Sequence, residues 1–145
     1  MRRMTDQTEI PAGASGSNRI QQAVAEFHAA MGSTIGDTPE LRDVKLRRKL
    51  IREESKEVLD ALANDDLIGA VSELCDLLYV VAGTFVAAGV DFSPIFEEIH
   101  AANMRKLGGP RRADGKQLKS PDWKPADIRP LIEAQLAQTK SARKG

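Results

Sequence analysis

Apolar residues recur at helical spacing along most of the chain, with glycine, proline and small polar residues between the periodic stretches. Asn18 precedes the first stretch and is a suitable helix cap. The pattern predicts helices over residues 19–31, 39–63, 67–88, 94–107 and 125–139. No stretch alternates with the period of a strand, so the predicted class is all-α, a bundle of four to five helices.

The third predicted helix, Leu67–Ala88, is apolar on nearly all sides, which predicts a central position in the bundle. Glu73 and Asp76 are the only charged residues between Leu67 and Val90. Burying bare carboxylates is costly unless they are paired or hold a metal, and no Lys or Arg lies on the same helix. The two acids are therefore candidates for a function.

The second helix carries a matching acidic motif, in which Glu53 and Glu57 share one face and Glu54 lies at its edge. The short turn at residues 64–66 predicts that this helix packs antiparallel to the third. Carboxylates from two facing helices suit a hard cation such as Mg²⁺ or Mn²⁺. The alternative is a solvated acidic face balanced by neighbouring cations, which are Arg47, Arg48, Lys49, Arg52 and Lys56.

A basic loop follows the acidic helices. Residues 105–124 contain seven Lys and Arg residues but only two Asp residues. Such a loop suits the phosphates of a metal-bound nucleotide, with the alternative that it is simply solvated. Lys106 is the first candidate phosphate contact, and the others are Arg111, Lys116 and Lys119.

Three further residues are candidate contacts for the base or sugar. The amide of Asn103, on the same face as Lys106, can both donate and accept hydrogen bonds. Tyr79 follows Asp76 by about one turn and can pack on a ring, or else belongs to the core. His28, near the loop after the first helix, is the third candidate. Trp123 is expected to anchor the loop rather than touch a ligand.

The composition of the chain excludes some classes of binding partner. The chain has 145 residues, 41% of them hydrophobic, with net charge zero and few aromatics. This suits one domain and argues against a protein that coats a nucleic acid polymer. Cys75, the single cysteine, lies in an apolar run and is expected to be a buried, reduced thiol. With no signal-peptide pattern and no apolar stretch that we judge long enough for a membrane, we expect a cytoplasmic protein.

The two acidic motifs resemble the signature of the all-α NTP pyrophosphatases, which include MazG, dimeric dUTPases and phosphoribosyl-ATP pyrophosphohydrolase. The likeness is closest to a small MazG-like branch typified by a dUTP-preferring Deinococcus enzyme, although the linker between the acidic helices is shorter here. The matching segments are Glu26-Phe27-His28, Glu53-Glu54-Ser55-x-Glu57, Glu73-Leu74-x-Asp76-Leu77-Leu78-Tyr79-Val80, His100-x-x-Asn103 and residues 109–119.

The resemblance implies a Mg²⁺-dependent enzyme, with Mn²⁺ as an alternative, that cuts a (d)NTP, with dUTP favoured, to monophosphate and pyrophosphate. Glu53, Glu54, Glu57, Glu73 and Asp76 would hold metal, and Glu54 would instead or also accept the proton of the attacking water. The resemblance further implies a homodimer that completes the bundle. The expected organisation is a disordered tail over 1–17, a catalytic domain over 18–139 with a substrate-binding loop at 107–125, and a disordered tail over 140–145.

Three rival functions are weighed against this one. A phosphoribosyl-ATP pyrophosphohydrolase would use the same acidic motifs on another substrate. A non-catalytic dimerisation module would explain the apolar third helix but not its two acids. Glu97 and His100 form one copy of the unit found in di-iron bundles, which need two copies, and the other histidine lacks a glutamate at that spacing.

Overall fold

The computed structural model describes residues 18–143 and contains five helices. They are α1 (Arg19–Met31), α2 (Val44–Ala63), α3 (Leu67–Ala88), α4 (Ser93–Met104) and α5 (Arg129–Arg143). Apart from one isolated bridge between Arg111 and Gln117, the described residues contain no strand. The all-α prediction is confirmed. The tail expected over residues 1–17 lies outside the described part of the chain.

Helix α1 begins where its sequence predicts. The side chain of Asn18 accepts a hydrogen bond from the backbone N–H of Gln21 at 3.1 Å, as a helix cap does. Gly32 ends the helix with φ +68°, a left-handed conformation that glycine adopts without strain. Local sequence alone therefore determines both ends of this helix.

Helix α2 begins at Val44, about four residues later than predicted. The segment before it instead binds the end of α3: the N–H of Gly36 donates to Val86 O, and that of Glu40 to Ala88 O, each at 2.9 Å. The last carbonyls of a helix have no partner within it, and this loop gives Ala88 O a donor and adds a second donor to Val86 O, which also accepts from Gly89 N. Helix α2 therefore starts later than predicted, because the residues before it form hydrogen bonds with the distant end of α3.

The bounds of the last two helices also differ from the predicted ones. Helix α4 ends at Met104 rather than residue 107, and α5 begins at Arg129 rather than 125. Helix α5 continues to Arg143, beyond residue 139, where the sequence predicted a frayed tail. The side chain of Gln135 exchanges two 2.9 Å hydrogen bonds with the backbone of Asp91, which ties α5 to the turn between α3 and α4.

Helix α3 is the centre of the packing, with α2 and α1 both against it. Val24 of α1 packs with Ala82 and Val86 of α3 in a small core. The central position predicted for α3 is confirmed, but its N-terminal half is buried at Ala70 alone, and Leu67, at 76% exposure, and Ile68, at 84%, lie open in the single chain. By length and composition α3 could also cross a membrane, but the core helix of a soluble protein passes the same test.

Arg47 joins α2 to α3 and is buried. Its Nη2 donates to Val80 O at 2.8 Å and its Nε to Thr84 Oγ1 at 3.1 Å. Burial lowers the pKa of this arginine, although nearby Asp43 opposes the change. Sequence analysis placed Arg47 among the cations balancing the α2 glutamates, and the structure corrects this: the side chain points to the backbone of α3.

Candidate active site

The acidic motifs lie on consecutive helices that fold back on each other. Asp66 ends the short turn and accepts a hydrogen bond from Gly69 N at 3.0 Å, which caps α3. Val58 and Ala70 are buried and lie one residue after Glu57 and three before Glu73, respectively. Packing of the two helices through such positions brings the neighbouring carboxylates together.

Three of the carboxylates form a tight group. Oxygens of Glu54, Glu57 and Glu73 all lie within 4.8 Å of one another. Glu54 and Glu73 are half-buried, whereas Glu57 is exposed. The group joins α2 to α3, as expected from the two motifs. We refer to these three residues, together with Glu53 and Asp76, as the carboxylate cluster.

Mutual repulsion and burial raise the pKa of two members of the cluster. For Glu54 the main cause is desolvation, followed by the charges of Glu57 and Asp76, a hydrogen bond with Glu57, and Glu53. For Glu73 the main cause is a hydrogen bond with Glu57, followed by desolvation and the charges of Glu57, Asp76 and Glu54. The other three carboxylates predicted from sequence each act on Glu54, and Glu57 and Asp76 act on Glu73 as well.

The cluster lacks the partners that buried carboxylates normally have. Glu54 Oε2 and Glu73 Oε2 are buried and accept no hydrogen bond. Within residues 18–143 the one ion pair to the cluster joins exposed Lys49 and Glu53 at 3.9 Å. Orphaned carboxylate oxygens within reach of a single point fit a divalent cation with oxygen ligands. Their role as metal ligands stays a prediction.

Cys75 and His28 lie in surroundings that differ from those expected from sequence. Cys75, expected to be buried, is exposed between the two α3 acids, so burial offers no argument about its redox state. His28 is buried and its Nδ1 lies 2.8 Å from Thr34 O, a position that joins α1 to the following loop. The contact of His28 with a base or sugar stays a prediction.

Tyr79 occupies an open position one turn after Asp76. Its ring meets that of Phe27 on α1 edge to face, with centroids 5.6 Å apart and planes at 76°. Both rings are partly exposed, at 41% and 46%. This pair presents an aromatic surface on the α3 helix that carries two of the acids, which keeps Tyr79 as a candidate base or sugar contact.

The basic loop has its own internal order. Gln117 Nε2 donates to Gly109 O at 2.8 Å and to Lys106 O at 3.0 Å, which closes the loop on itself. The ammonium of Lys106 donates to Asn103 Oδ1 at 2.9 Å. Arg111 and Lys116 are exposed. In the described chain no hydrogen bond or ion pair links this loop to the carboxylate cluster, so their cooperation stays a prediction.

Trp123 anchors the basic loop, as its sequence position predicts, and it also contacts two lysines, which no sequence pattern indicated. The indole N–H of Trp123 donates to Ala102 O at 2.7 Å, and the ammonium groups of Lys106 and Lys119 lie over its ring. The available signal was that Trp123 is the single tryptophan and lies within the basic loop. The contacts themselves depend on the fold of the loop and could not be predicted.

The di-iron alternative gains nothing from the structure. Glu97 is exposed on α4, and so is His100. Among the described residues, the group of potential metal ligands that comes together consists of glutamates alone and excludes both of these. An oxygen-only donor set favours Mg²⁺ or Mn²⁺ over iron held by histidine.

Residues 24–103 match the model of the phosphoribosyl-ATP pyrophosphohydrolase family. The chain belongs to this family. The phosphoribosyl-ATP pyrophosphohydrolase family is part of the all-helical, MazG-like NTP pyrophosphatase superfamily, whose members depend on divalent metal and hydrolyse phosphoric anhydrides of nucleotides. The match includes every member of the carboxylate cluster and ends before the basic loop. No curated protein matches the chain.

Proposed function

We propose that this protein is a Mg²⁺-dependent nucleoside triphosphate pyrophosphatase that converts a (d)NTP, with dUTP as the favoured substrate, to the monophosphate and pyrophosphate. The carboxylate cluster carries the proposal, because unpaired, buried carboxylate oxygens close together on α2 and α3 are well suited to bind a cation. Family membership supports pyrophosphohydrolase chemistry. The preference for dUTP is supported by the sequence likeness around Glu53–Glu57, Glu73–Val80 and residues 109–119.

Glu53, Glu54, Glu57, Glu73 and Asp76 would hold the metal. When bound, Mg²⁺ would neutralise phosphate charge and lower the pKa of a water molecule. In the proposed reaction that water attacks the α-phosphorus, the bond from this phosphorus to the bridging oxygen breaks, and pyrophosphate leaves. Glu54 accepts the water's proton or, alternatively, helps to hold a further ion.

The basic loop would hold the phosphate chain. Lys106 and Lys119 are the leading candidates, because both lie at one ring, and exposed Arg111 and Lys116 supply further positive charge. Asn103 and Tyr79 would contact the base or sugar. The family match stops at residue 103, so the lysines are assigned from charge and from the sequence likeness of the loop.

A homodimer is part of the proposal. Helix α3 exposes an apolar strip that a single chain leaves uncovered, consisting of Leu67, Ile68, Val71, Leu74 and Leu78. Monomeric proteins rarely leave large contiguous apolar patches in water. A second copy of the chain that covers this strip would remove the apolar surface from water.

The family match favours one alternative, phosphoribosyl-ATP as substrate. A pyrophosphate-release screen decides between the substrates, using all NTPs and dNTPs and phosphoribosyl-ATP, each with Mg²⁺, with Mn²⁺ and with excess EDTA. Chromatography of the products distinguishes a monophosphate plus pyrophosphate from a diphosphate plus orthophosphate. Full activity in EDTA, or orthophosphate as the first product, would reject the proposed function. Absence of turnover with every nucleotide would favour a non-catalytic dimerisation module.

A further inference from the structure

Two lysines from separate parts of the chain lie over one aromatic ring. The ammonium of Lys106 is 5.4 Å from the centroid of the Trp123 ring, and that of Lys119 is 5.3 Å from it. The electron-rich face of an indole attracts a cation, more strongly for Trp than for other side chains. The ring thus gives both flexible lysines a shared point of attachment.

The ring itself is held in place. Its N–H donates to Ala102 O at 2.7 Å, and Ala102 is buried on α4. Three prolines, Pro110, Pro121 and Pro125, line a cleft of about 500 Å³ beside it, and proline restricts the backbone. Trp123 is therefore bonded to α4 and bordered by conformationally restricted backbone. A ring held in this way can fix the positions of the lysines that contact it.

The two lysines lack anionic partners. In the part of the chain that the structure describes, neither forms an ion pair with a carboxylate, and Lys106 donates only to the neutral Asn103. Their ammonium groups can lie no further apart than the sum of their two distances to the ring. Two cations held at one ring without a carboxylate partner concentrate positive charge there, and this charge attracts an anion.

We propose that Trp123 is a positioning residue that sets the separation of Lys106 and Lys119 for binding the pyrophosphate portion of the substrate. This inference rests on the proposed function, which it deepens. Asn103 Oδ1 accepts a hydrogen bond from Lys106, which orients the amide, and its N–H groups remain free to donate to a nucleotide. Trp123 acts through the lysines and needs no contact with the reacting atoms.

Two variants separate positioning from simple anchoring. Trp123→Phe keeps an aromatic face but loses the N–H bond to Ala102, whereas Trp123→Leu loses both. The probe is inorganic pyrophosphate with Mg²⁺, measured as an inhibitor and by calorimetry. We expect Trp123→Phe to stay within about twofold of wild type, and Trp123→Leu to weaken pyrophosphate binding about five- to twentyfold, from two cation–π contacts. Binding of the monophosphate product should not change.

Intrinsic fluorescence gives a readout independent of activity, since Trp123 is the single tryptophan. Pyrophosphate should change its emission in wild type at the concentrations that inhibit. The change should shrink in Lys106→Ala and Lys119→Ala. Lys140→Ala is the control, because Lys140 is exposed on α5, outside the basic loop, and its side chain forms no hydrogen bond or ion pair among the described residues; it should behave as wild type.

Equal losses of pyrophosphate affinity in Trp123→Phe and Trp123→Leu would overturn the proposal and leave Trp123 as a structural anchor. An unchanged affinity in Trp123→Leu would overturn it as well. Either result is compatible with pyrophosphate release by the wild-type enzyme, so the proposed function would survive. If the wild-type protein releases no pyrophosphate but still binds it with a fluorescence change, the proposed function fails while the lysine–tryptophan site stands.

Discussion

Glu57 on α2 and Glu73 on α3 lie within 4.8 Å of each other, and a hydrogen bond between them is the main reason that the pKa of Glu73 is raised. Two carboxylates at this distance can share a proton or a cation, but both cannot be charged without repulsion. A cost of this kind, on helices that also bury the neighbouring Val58 and Ala70, points to a function rather than to stability.

The first prediction concerns the amide variants Glu73→Gln and Asp76→Asn. Both should abolish pyrophosphate release, because each removes a charged oxygen from the proposed metal site. Glu73→Gln should also raise the melting temperature of the metal-free protein, since it removes a charge that Glu57 and Glu54 repel. Asp60→Asn, on α2 but paired with Lys56, is the control and should retain activity. A fully active Glu73→Gln enzyme would contradict the site.

The second prediction is the pH dependence of the metal-free protein. Glu54 and Glu73 have folded-state pKa values above the ordinary 4.5. Groups of this kind favour folding when protonated, so their contribution is lost as pH rises from 4.5 through the raised values. From pH 7 downward, the melting temperature of wild type should therefore gain relative to that of Glu73→Gln. Saturating Mg²⁺ should reverse the trend, because protons then compete with the metal.

For α2, the sequence predicts the acidic face correctly but not the first residue of the helix. The spacing of Glu53, Glu54 and Glu57 predicted the acidic face, because helical periodicity is a local property. The start of the helix was predicted about four residues early, since residues 36–40 bind the open carbonyls at the end of α3. The local sequence around residues 36–40 does not indicate that these residues will form hydrogen bonds with carbonyls about 50 residues further along the chain.

The exposed half of α3 shows a second limit. Apolar residues on all sides of a helix predict that its surface is covered, but they do not identify the element or subunit that covers it. In the single chain, Val71 and Leu74 are open, and Cys75 is exposed with them. The Trp123 contacts, in turn, depend on how prolines and Gln117 close an irregular loop, for which no periodic pattern exists.

The third prediction concerns Arg47. Arg47→Ala should lower the free energy of unfolding by about 2–3 kcal/mol, because it removes charged hydrogen bonds and leaves Val80 O and Thr84 Oγ1 with fewer partners. Arg48→Ala, an exposed neighbour, should change it by less than about 0.5 kcal/mol. Urea unfolding of both variants measures the difference. Equal effects would mean that the buried position of Arg47 contributes little.

The fourth prediction tests the homodimer. Val71→Asp with Leu74→Asp places two charges on the exposed strip of α3 and should weaken dimerisation roughly a hundredfold or more. Sedimentation should then give the mass of one chain, and pyrophosphate release should fall with it. Leu41→Asp is the control, since Leu41 is 78% exposed but lies before α2. A wild-type protein that sediments as a monomer would remove the dimer from the proposal.

The last prediction concerns the loop lysines as phosphate contacts. An Mg²⁺-bound triphosphate keeps net negative charge, so Lys106→Ala, Lys116→Ala and Lys119→Ala should each weaken its recognition. A charge-assisted contact contributes roughly 1.5–3 kcal/mol, which corresponds to about ten- to a hundredfold in kcat/KM. Monophosphate binding should change much less, because these lysines would contact the departing pyrophosphate.

The three lysines should not contribute equally. Lys106 and Lys119 are held at the Trp123 ring, whereas the side chain of Lys116 has no hydrogen bond, ion pair or ring contact among the described residues, so its substitution should have the smallest effect. Steady-state kinetics together with product-binding calorimetry separates phosphate contacts from solvated charges. Unchanged kinetics in all three variants would reject the loop as the phosphate site. The next candidates would then be the exposed Arg48 and Arg52, because they lie on the helix that carries Glu53 and have no anionic partner among the described residues.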